Sequence, residues 1–518
     1  MSMVSEKTPP GMPDAAPLEE NVPSRAAEAV MLVIALALGL GGLAMVGYSI
    51  DDRLPDGFWA NVLVLSALSL TAHLVLRFRA PYADQVILPA VMLLNTMSLA
   101  MITRLQMDDM IGANAERHLM WTALSVVVAC AVLFFLRDHR VLRKYTYTVM
   151  VLALVLVVLP LIPGLGQEIN GARIWINFAG FSLQPAEFAK ILFAVFFAGY
   201  LVTNRDTLAL AGKKVLGLQL PRLRDLGPIL VVWAVSLMVL VGQKDLGTSL
   251  LFFGLFVGML YLATERGGWV AVGMAMFVVG AFAAWTMFGH VQRRVRIWLD
   301  PLDVDLYNAV GGSFQVAQGM FGMAFGGMFG VGWGEGYSSR IPFAFSDMIY
   351  AAFGEELGLT GLLAILLLYL VIVQRGLRNA IGVRDGFGKL LAGGLAFVMA
   401  LQLFVVVGGI TRVIPLTGLT LPFMAQGGSS LLANWIVIAL LLRMSDAARR
   451  PSALPTRGQL AAPAPAAAGH PGADGAIEVG PGASQANREA ARQNMPSPSD
   501  EMTQMHAPIR YDDGGDQA

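Results

Sequence analysis

The feature that most constrains this chain is a recurrence of apolar runs close to 20 residues long. A helix of that length crosses the hydrocarbon core of a bilayer. Only helices and closed barrels can do so, because lipid offers no partner to an exposed backbone N–H or C=O. The runs predict spans near Ala29–Val46, Trp59–Leu76, Val86–Ile102, Leu119–Leu136, Thr146–Leu161 and Phe188–Val202. Others follow near Ile229–Val241, Leu250–Thr264, Val270–Phe288, Leu357–Val373, Leu391–Ile410 and Leu431–Leu442, about twelve in all. The fold class is therefore an all-α polytopic membrane protein. The spans from Phe188, Ile229 and Leu250 are short or flanked by polar motifs, which leaves room for a re-entrant segment among them. The first run follows about 28 polar residues and lacks a basic stretch or a small-residue cleavage site, so it reads as a span rather than a cleaved signal.

Composition agrees. Of 518 residues, 56% are hydrophobic and 14% charged, with a mean hydropathy of +0.62. A soluble domain carries about 25% charged residues, so a cytosolic enzyme and a disordered regulator are excluded. No basic face is present to bind nucleic acid. Cys130 stands alone, which excludes an intrachain disulfide and paired-cysteine metal sites. The six histidines, at 73, 118, 139, 290, 470 and 506, lack ligand spacing, so no metal-binding residues are assigned.

Lysine and arginine crowd one set of alternate loops, among them Arg77, Arg79, Arg137, Arg140, Arg143, Lys144, Arg375, Arg378, Arg384 and Lys389. The positive-inside rule then puts both termini in the cytoplasm. Residues 1–28 and 445–518 lack apolar periodicity and predict disordered tails. These ends together carry −6, which leaves +6 on the body of a chain whose formal charge is zero. Residues 289–349 form the one long loop on the opposite face, and long loops with their own chemistry are usually functional.

Polar groups gather on that opposite face in four places. The first runs from Asn170-Gly-Ala-Arg173 to Gln184-Pro-Ala-Glu187-Phe-Ala-Lys190. Pro185 and Glu187 suit a first helical turn, and Glu187 and Lys190 share a helix face. The second is Gln243-Lys244-Asp245-Leu-Gly-Thr248. The third is the long loop, with Arg293, Arg294 and Arg296 ahead of Asp300, Asp303 and Asp305. Gln315, Asp347, Glu355 and Glu356 follow it. Cations for an anionic ligand thus stand beside candidate bases. The fourth is Thr411-Arg412 through Gly427-Gly428-Ser429-Ser430, where a glycine- and serine-rich helix start leaves N–H groups free for an anion. Each cluster also has a plainer reading as helix starts, tight loops or solvated ion pairs.

Taken in order, these strings resemble the SEDS family (shape, elongation, division and sporulation; RodA- and FtsW-like). They are N-G-A-R-I-W-I, Q-P-A-E-F-A-K, Q-K-D-L-G-T, W-L-D-P, S-D-M-I-Y-A-A-F-G-E-E-L-G and P-L-T-G-L-T-L-P-F with G-G-S-S. The resemblance spans roughly Pro89 to Asp446, and G-L-R-N-A-I-G-V-R-D-G-F-G-K looks most like actinobacterial RodA-type members. It implies a ten-helix core over residues 85–444 with two additional N-terminal helices in 29–84. It also implies a peptidoglycan glycosyltransferase of the bacterial plasma membrane, polymerising lipid II with inversion and releasing undecaprenyl pyrophosphate. The implied partners are a class B penicillin-binding transpeptidase and other cell-wall synthesis proteins; no cofactor is fixed, and there is room for a divalent cation. In the family pattern a second loop aspartate falls at Val304, so the implied general base is Asp305 or Asp303. Arg173, Gln184, Glu187, Lys190, Lys244, Asp245, Arg293, Arg294, Arg296, Gln315, Asp347, Glu355, Glu356, Ser429 and Ser430 are the implied substrate-binding set. A lipid-linked precursor flippase and a non-catalytic cell-wall scaffold are the alternatives.

Overall fold

The apolar runs form helices whose faces differ sharply in burial. A computed structural model describes residues 23–169, 172–178, 180–209, 214–215, 218–219, 234–235, 238–239 and 241–451. Among these are eleven helices long and apolar enough to cross a membrane. They are α1 (Ala26–Asp51), α2 (Phe58–Arg79), α3 (Ile87–Met107), α4 (Ala115–Phe135), α5 (Thr146–Val158) and α6 (Pro185–Ala209). Then come α7 (Leu246–Thr264), α8 (Gly267–Met287), α12 (Ile349–Gly382), α13 (Gly386–Ile410) and α14 (Gly428–Arg449). Short 3-10 turns extend α5 to a 23-residue span, His139–Leu161. The expected span Ile229–Val241 lies almost wholly outside the described residues.

The apolar windows of α3, α14 and α13 are 83%, 78% and 72% buried, so these helices form the centre. Those of α8 and α5 are 17% and 22% buried and leave apolar side chains for lipid. Periodicity does not mark this difference, because a helix facing lipid and a helix facing protein are both apolar all round.

The long segment 289–349 is folded rather than open. It forms α9 (Gly289–Leu299), α10 (Val304–Asn308) and α11 (Phe314–Gly326), followed by a 3-10 turn at Ser338–Arg340. A second departure from an all-helical chain precedes α6. Strands β1 (Gly166–Ile169), β2 (Ala172–Phe178) and β3 (Phe181–Leu183) make an antiparallel sheet in that order, with Ile169 opposite Ala172. A two-residue Asn-Gly connection is a strong hairpin signal, and here it stood inside a motif read for its charges.

α12 is broken near its start. Gly358 has φ 66° and ψ −171°, a region open essentially to glycine. The freed backbone groups are met by the segment after α11. Leu359 and Thr360 N–H donate to the carbonyls of Gly327 and Met328, while Val331 and Gly332 N–H donate to those of Glu355 and Glu356. Irregular backbone at membrane depth survives only where protein supplies such partners.

At the opposite end, buried charges tie helix ends together. Arg25 pairs with Glu28 and donates to the carbonyls of Ala80, Pro81 and Ala83; Glu28 also meets His73 at 2.7 Å. Asp84 is fully buried and pairs with Arg375 and Arg449. α14 therefore continues past residue 445, and Asp446 is buried with Arg443 and Arg450 as partners.

The broken helix gives a direct check. A Cβ at Gly358 would sit 2.2 Å from the Gly330 nitrogen, whereas one at Gly41 meets nothing within 4 Å. Gly358→Ala should lower the thermal midpoint of the detergent-solubilised protein, with a backbone cost alone of about 1–3 kcal/mol. Gly41→Ala should leave it within error, and equal midpoints for the two variants would contradict the break.

Candidate active site

The sequence clusters converge at the end of the bundle that carries α9–α11. Asp245 caps α7, accepting from Thr248 N–H at 3.0 Å and Thr248 Oγ1 at 2.5 Å. Arg294, on α9, donates to the Leu416 carbonyl and has Asp245 and Asp347 as its charged neighbours. Gln315, on α11, donates to Asp347 at 3.2 Å. Burial pushes the carboxyls of Asp245 and Asp347 above their ordinary range, against the pull of hydrogen bonds and of Arg294. Burial likewise lowers the Arg294 guanidinium. The Arg294 charge faces both carboxylates, and its hydrogen bond to the Leu416 carbonyl ties α9 to the segment before α14.

Arg293 and Arg296 point the other way and are exposed, with no ionic partner among the described residues. α9 is strongly amphipathic, with Val291 and Ile297 buried. Its C-terminal end is fixed by reciprocal bonds: Trp298 Nε1 donates to the Arg412 carbonyl at 3.0 Å, and Arg412 donates to the Trp298 and Leu299 carbonyls. Just beyond, Asp303 caps α10 by accepting from Leu306 N–H at 2.9 Å. Asp305 lies exposed in the first turn of α10 with no hydrogen-bond or ionic partner among the described residues. The two candidate bases thus differ: one carboxylate is committed to a helix cap, and the other is free.

Lys190 is 1% exposed and fully engaged. Its ammonium donates to Glu187 at 2.6 Å, Gln402 at 2.8 Å and Asn434 at 3.0 Å, which uses all three of its donors. Asn434 in turn donates to the Ser430 carbonyl, and Ser430 accepts from Thr420 Oγ1 at 2.8 Å. Ser429 accepts from Gln184 N–H. The family resemblance counts Lys190 among the substrate-binding residues; in this arrangement it is a cross-brace joining α6, α13 and α14.

Arg173 and Lys244 share one carboxylate, Glu168 on β1, at 2.9 Å and 3.7 Å; all three are exposed. The Arg173 hydrogen bond, then the Lys244 charge, hold the Glu168 carboxyl below its ordinary range. The group carries a net single positive charge.

Glu355 accepts from Tyr337 N–H at 2.6 Å. Glu356 accepts from Arg104 Nε at 2.6 Å, Gly334 N–H at 3.2 Å and Ser338 Oγ at 3.3 Å. Arg104, absent from the implied substrate-binding set, is 2% exposed and also pairs with Asp108. A charge inside an apolar span was the signal that marked it. Among the described residues no three His, Cys, Asp or Glu side chains gather around one point, so a divalent cation has no ready-made protein cage here.

A sequence model for the cell cycle proteins FtsW, RodA and SpoVE matches residues 83–450. The chain belongs to this family. It is 47% identical over 434 residues to the peptidoglycan glycosyltransferase RodA of Mycobacterium tuberculosis (strain ATCC 25618 / H37Rv), covering 82% of this chain and 92% of that protein. It is 32% identical over 343 residues to stage V sporulation protein E of Bacillus subtilis (strain 168), covering 65% and 87%. A chain of a solved peptidoglycan synthase complex that coordinates polymerization and crosslinking aligns at 23% identity and a TM-score of 0.49, covering 75% of this chain and 97% of that one. This family member carries its α1 and α2 largely outside the matched residues.

Two measurements test the site. Lys190→Met strands Glu187 in the bundle and should cost about 3–5 kcal/mol of stability; adding Glu187→Gln should restore much of the thermal midpoint. The second concerns Asp347, whose folded carboxyl titrates above its ordinary value of 3.8. The folded chain holds that proton to higher pH than the unfolded chain, so the contribution is full below 3.8 and lost as pH rises through the folded value. The wild-type midpoint should therefore fall relative to Asp347→Asn between about pH 4 and neutrality; parallel curves would refute the assignment.

Proposed function

We propose that this chain is a membrane peptidoglycan glycosyltransferase that polymerises lipid II at the outer face of the plasma membrane. The observation that carries the reading is the exposed Asp305 carboxylate, with no partner among the described residues, on the segment that also carries the exposed Arg293 and Arg296, in a family member 47% identical to relatives named for that activity. In the reaction a sugar hydroxyl of the acceptor attacks C1 of the donor sugar with inversion. The C1–oxygen bond to the lipid pyrophosphate breaks, the new glycosidic bond forms, and undecaprenyl pyrophosphate leaves.

Asp305, an exposed carboxylate, takes the hydroxyl proton as attack proceeds. Asp303 starts α10 and so sets where Asp305 points. Arg293 and Arg296 meet the departing pyrophosphate, whose charge grows as the bond breaks. Arg173 and Lys244 add a cationic rim. Arg294, Asp245, Asp347 and Gln315 hold α9 in place, while Lys190, Glu187, Gln402 and Asn434 brace the helices beneath. A translocation route through Glu187 and Lys190 is disfavoured because that pair is closed by its own hydrogen bonds. The family resemblance supports a class B penicillin-binding transpeptidase as partner, and the loop charges support cytoplasmic termini.

The test is purified protein, with and without its transpeptidase, given lipid II and assayed for glycan polymer. Asp305→Ala should lose about a hundredfold or more in rate while keeping its fold. Asp303→Ala should lose less, through a cap worth about 1 kcal/mol. Polymer at wild-type rates from both variants would overturn the assignment of the base.

A further inference from the structure

The N-terminal helix α1 makes contacts that a membrane anchor would not need. Its buried positions include Glu28, Leu32, Ala35, Gly39, Gly42 and Val46, spaced alternately four and three apart. That spacing keeps one seam facing a neighbour along the whole helix. Small residues on the seam let backbones approach closely: a Cβ at Gly39 would lie 2.0 Å from Thr96 Oγ1 of α3. Three residues on, a Cβ at Gly42 would lie 3.1 Å from the Trp333 indole. Beyond it, Ser49 Oγ donates to Glu335 at 2.7 Å and lies against Gly334.

Trp333, Gly334 and Glu335 belong to the segment that patches the break in α12. Trp333 is half-buried, and its ring meets Phe353 edge-on at 5.9 Å, on the turn of α12 that precedes Glu355 and Glu356. The same segment supplies Val331 and Gly332 N–H to the carbonyls of that glutamate pair. It also supplies Gly334 and Tyr337 N–H to their carboxylates, and the Gly336 carbonyl accepts from Arg104 at 2.5 Å. Among the described residues, the loop-side hydrogen bonds to Glu355 and Glu356 come from residues 331–338, and α1 lies against residues 333–335.

We propose that Gly42, Ser49, Trp333 and Glu335 are positioning residues for the glycosyl transfer, and that α1 is a working part of the enzyme rather than an added anchor. The inference rests on the glycosyltransferase reading above. Through the 331–338 segment, α1 sets the backbone to which Glu355, Glu356 and Arg104 are hydrogen-bonded. Loosening that seat leaves the bundle intact and lets the segment drift relative to Glu355 and Glu356, which the family resemblance counts among the substrate-binding residues.

The experiment compares wild type, Gly42→Leu, Trp333→Ala, Trp333→Phe, Ser49→Ala and a Gly41→Leu control in the full-length protein. Hydrogen exchange of residues 331–337 is measured alongside kcat and KM for lipid II polymerisation. Gly42→Leu and Trp333→Ala should raise exchange at these amides about tenfold or more and lower kcat about tenfold to a hundredfold with KM little changed. Trp333→Phe should recover most of both, Ser49→Ala should show a smaller loss of each, and Gly41→Leu should match wild type. If a bulky variant fails to fold, Ser49→Ala decides the question. Unchanged exchange in Gly42→Leu and Ser49→Ala overturns the docking. Raised exchange at an undiminished kcat overturns the positioning role. A wild-type chain that makes no polymer under any condition sinks the glycosyltransferase reading, and the positioning role falls with it, while exchange still judges the contact.

Discussion

The break in α12 at Gly358 is the constraint around which the site end of the molecule is organised. A helix interrupted inside an apolar bundle leaves backbone donors and acceptors that lipid cannot satisfy. Here Gly327, Met328, Val331 and Gly332 satisfy them, which obliges α11 and the chain after it to lie against α12. The loop that carries the candidate chemistry is therefore held to the bundle by main-chain hydrogen bonds rather than by side-chain contacts alone. Main-chain bonds give a register that cannot slide by part of a residue.

Buried charge supplies the second layer of order. Lys190 with Glu187, Arg104 with Glu356, and Arg294 between Asp245 and Asp347 each join three elements. Such groups add little net stability over apolar replacements, because desolvation offsets much of their attraction. What they add is geometry: a half-satisfied network in low dielectric is costly, so alternative packings that break one are disfavoured. Among the described residues, Asp305, Arg293 and Arg296 are exposed and take no part in these networks.

Much of this was legible in the sequence, and the gaps have physical causes. Eleven apolar runs coincide with helices of the structure because length and hydropathy are set by the bilayer, whatever the neighbours. Which helices are central did not follow from hydropathy, since the largely buried α3 is the less apolar, with a mean hydropathy of 1.4 against 1.9 for the largely exposed α8. The pairing of β1 with β2 went unread because a sheet of short strands beside a membrane helix leaves almost no periodicity. Asp303 and Asp305 were inseparable in sequence, and only the capping bond to Leu306 divides them. Arg104 lay in plain view in an apolar run, but its partner Glu356 is 252 residues away and no local pattern joins the two. The seam of α1 was present in its four-three spacing, while what it faced was not.

The charges at the start of α1 bear on how the chain is made. Glu28 is synthesised three residues after Arg25, which can neutralise it at once, but its other partner, His73, comes 45 residues later. The carbonyls of Ala80, Pro81 and Ala83 that receive Arg25 come later still. Until they emerge, the start of α1 lacks the partners that later bury it. The closed form of this end is thus available only once α2 and the turn after it have been made, and one buried ion pair links the start of α1 to the end of α2.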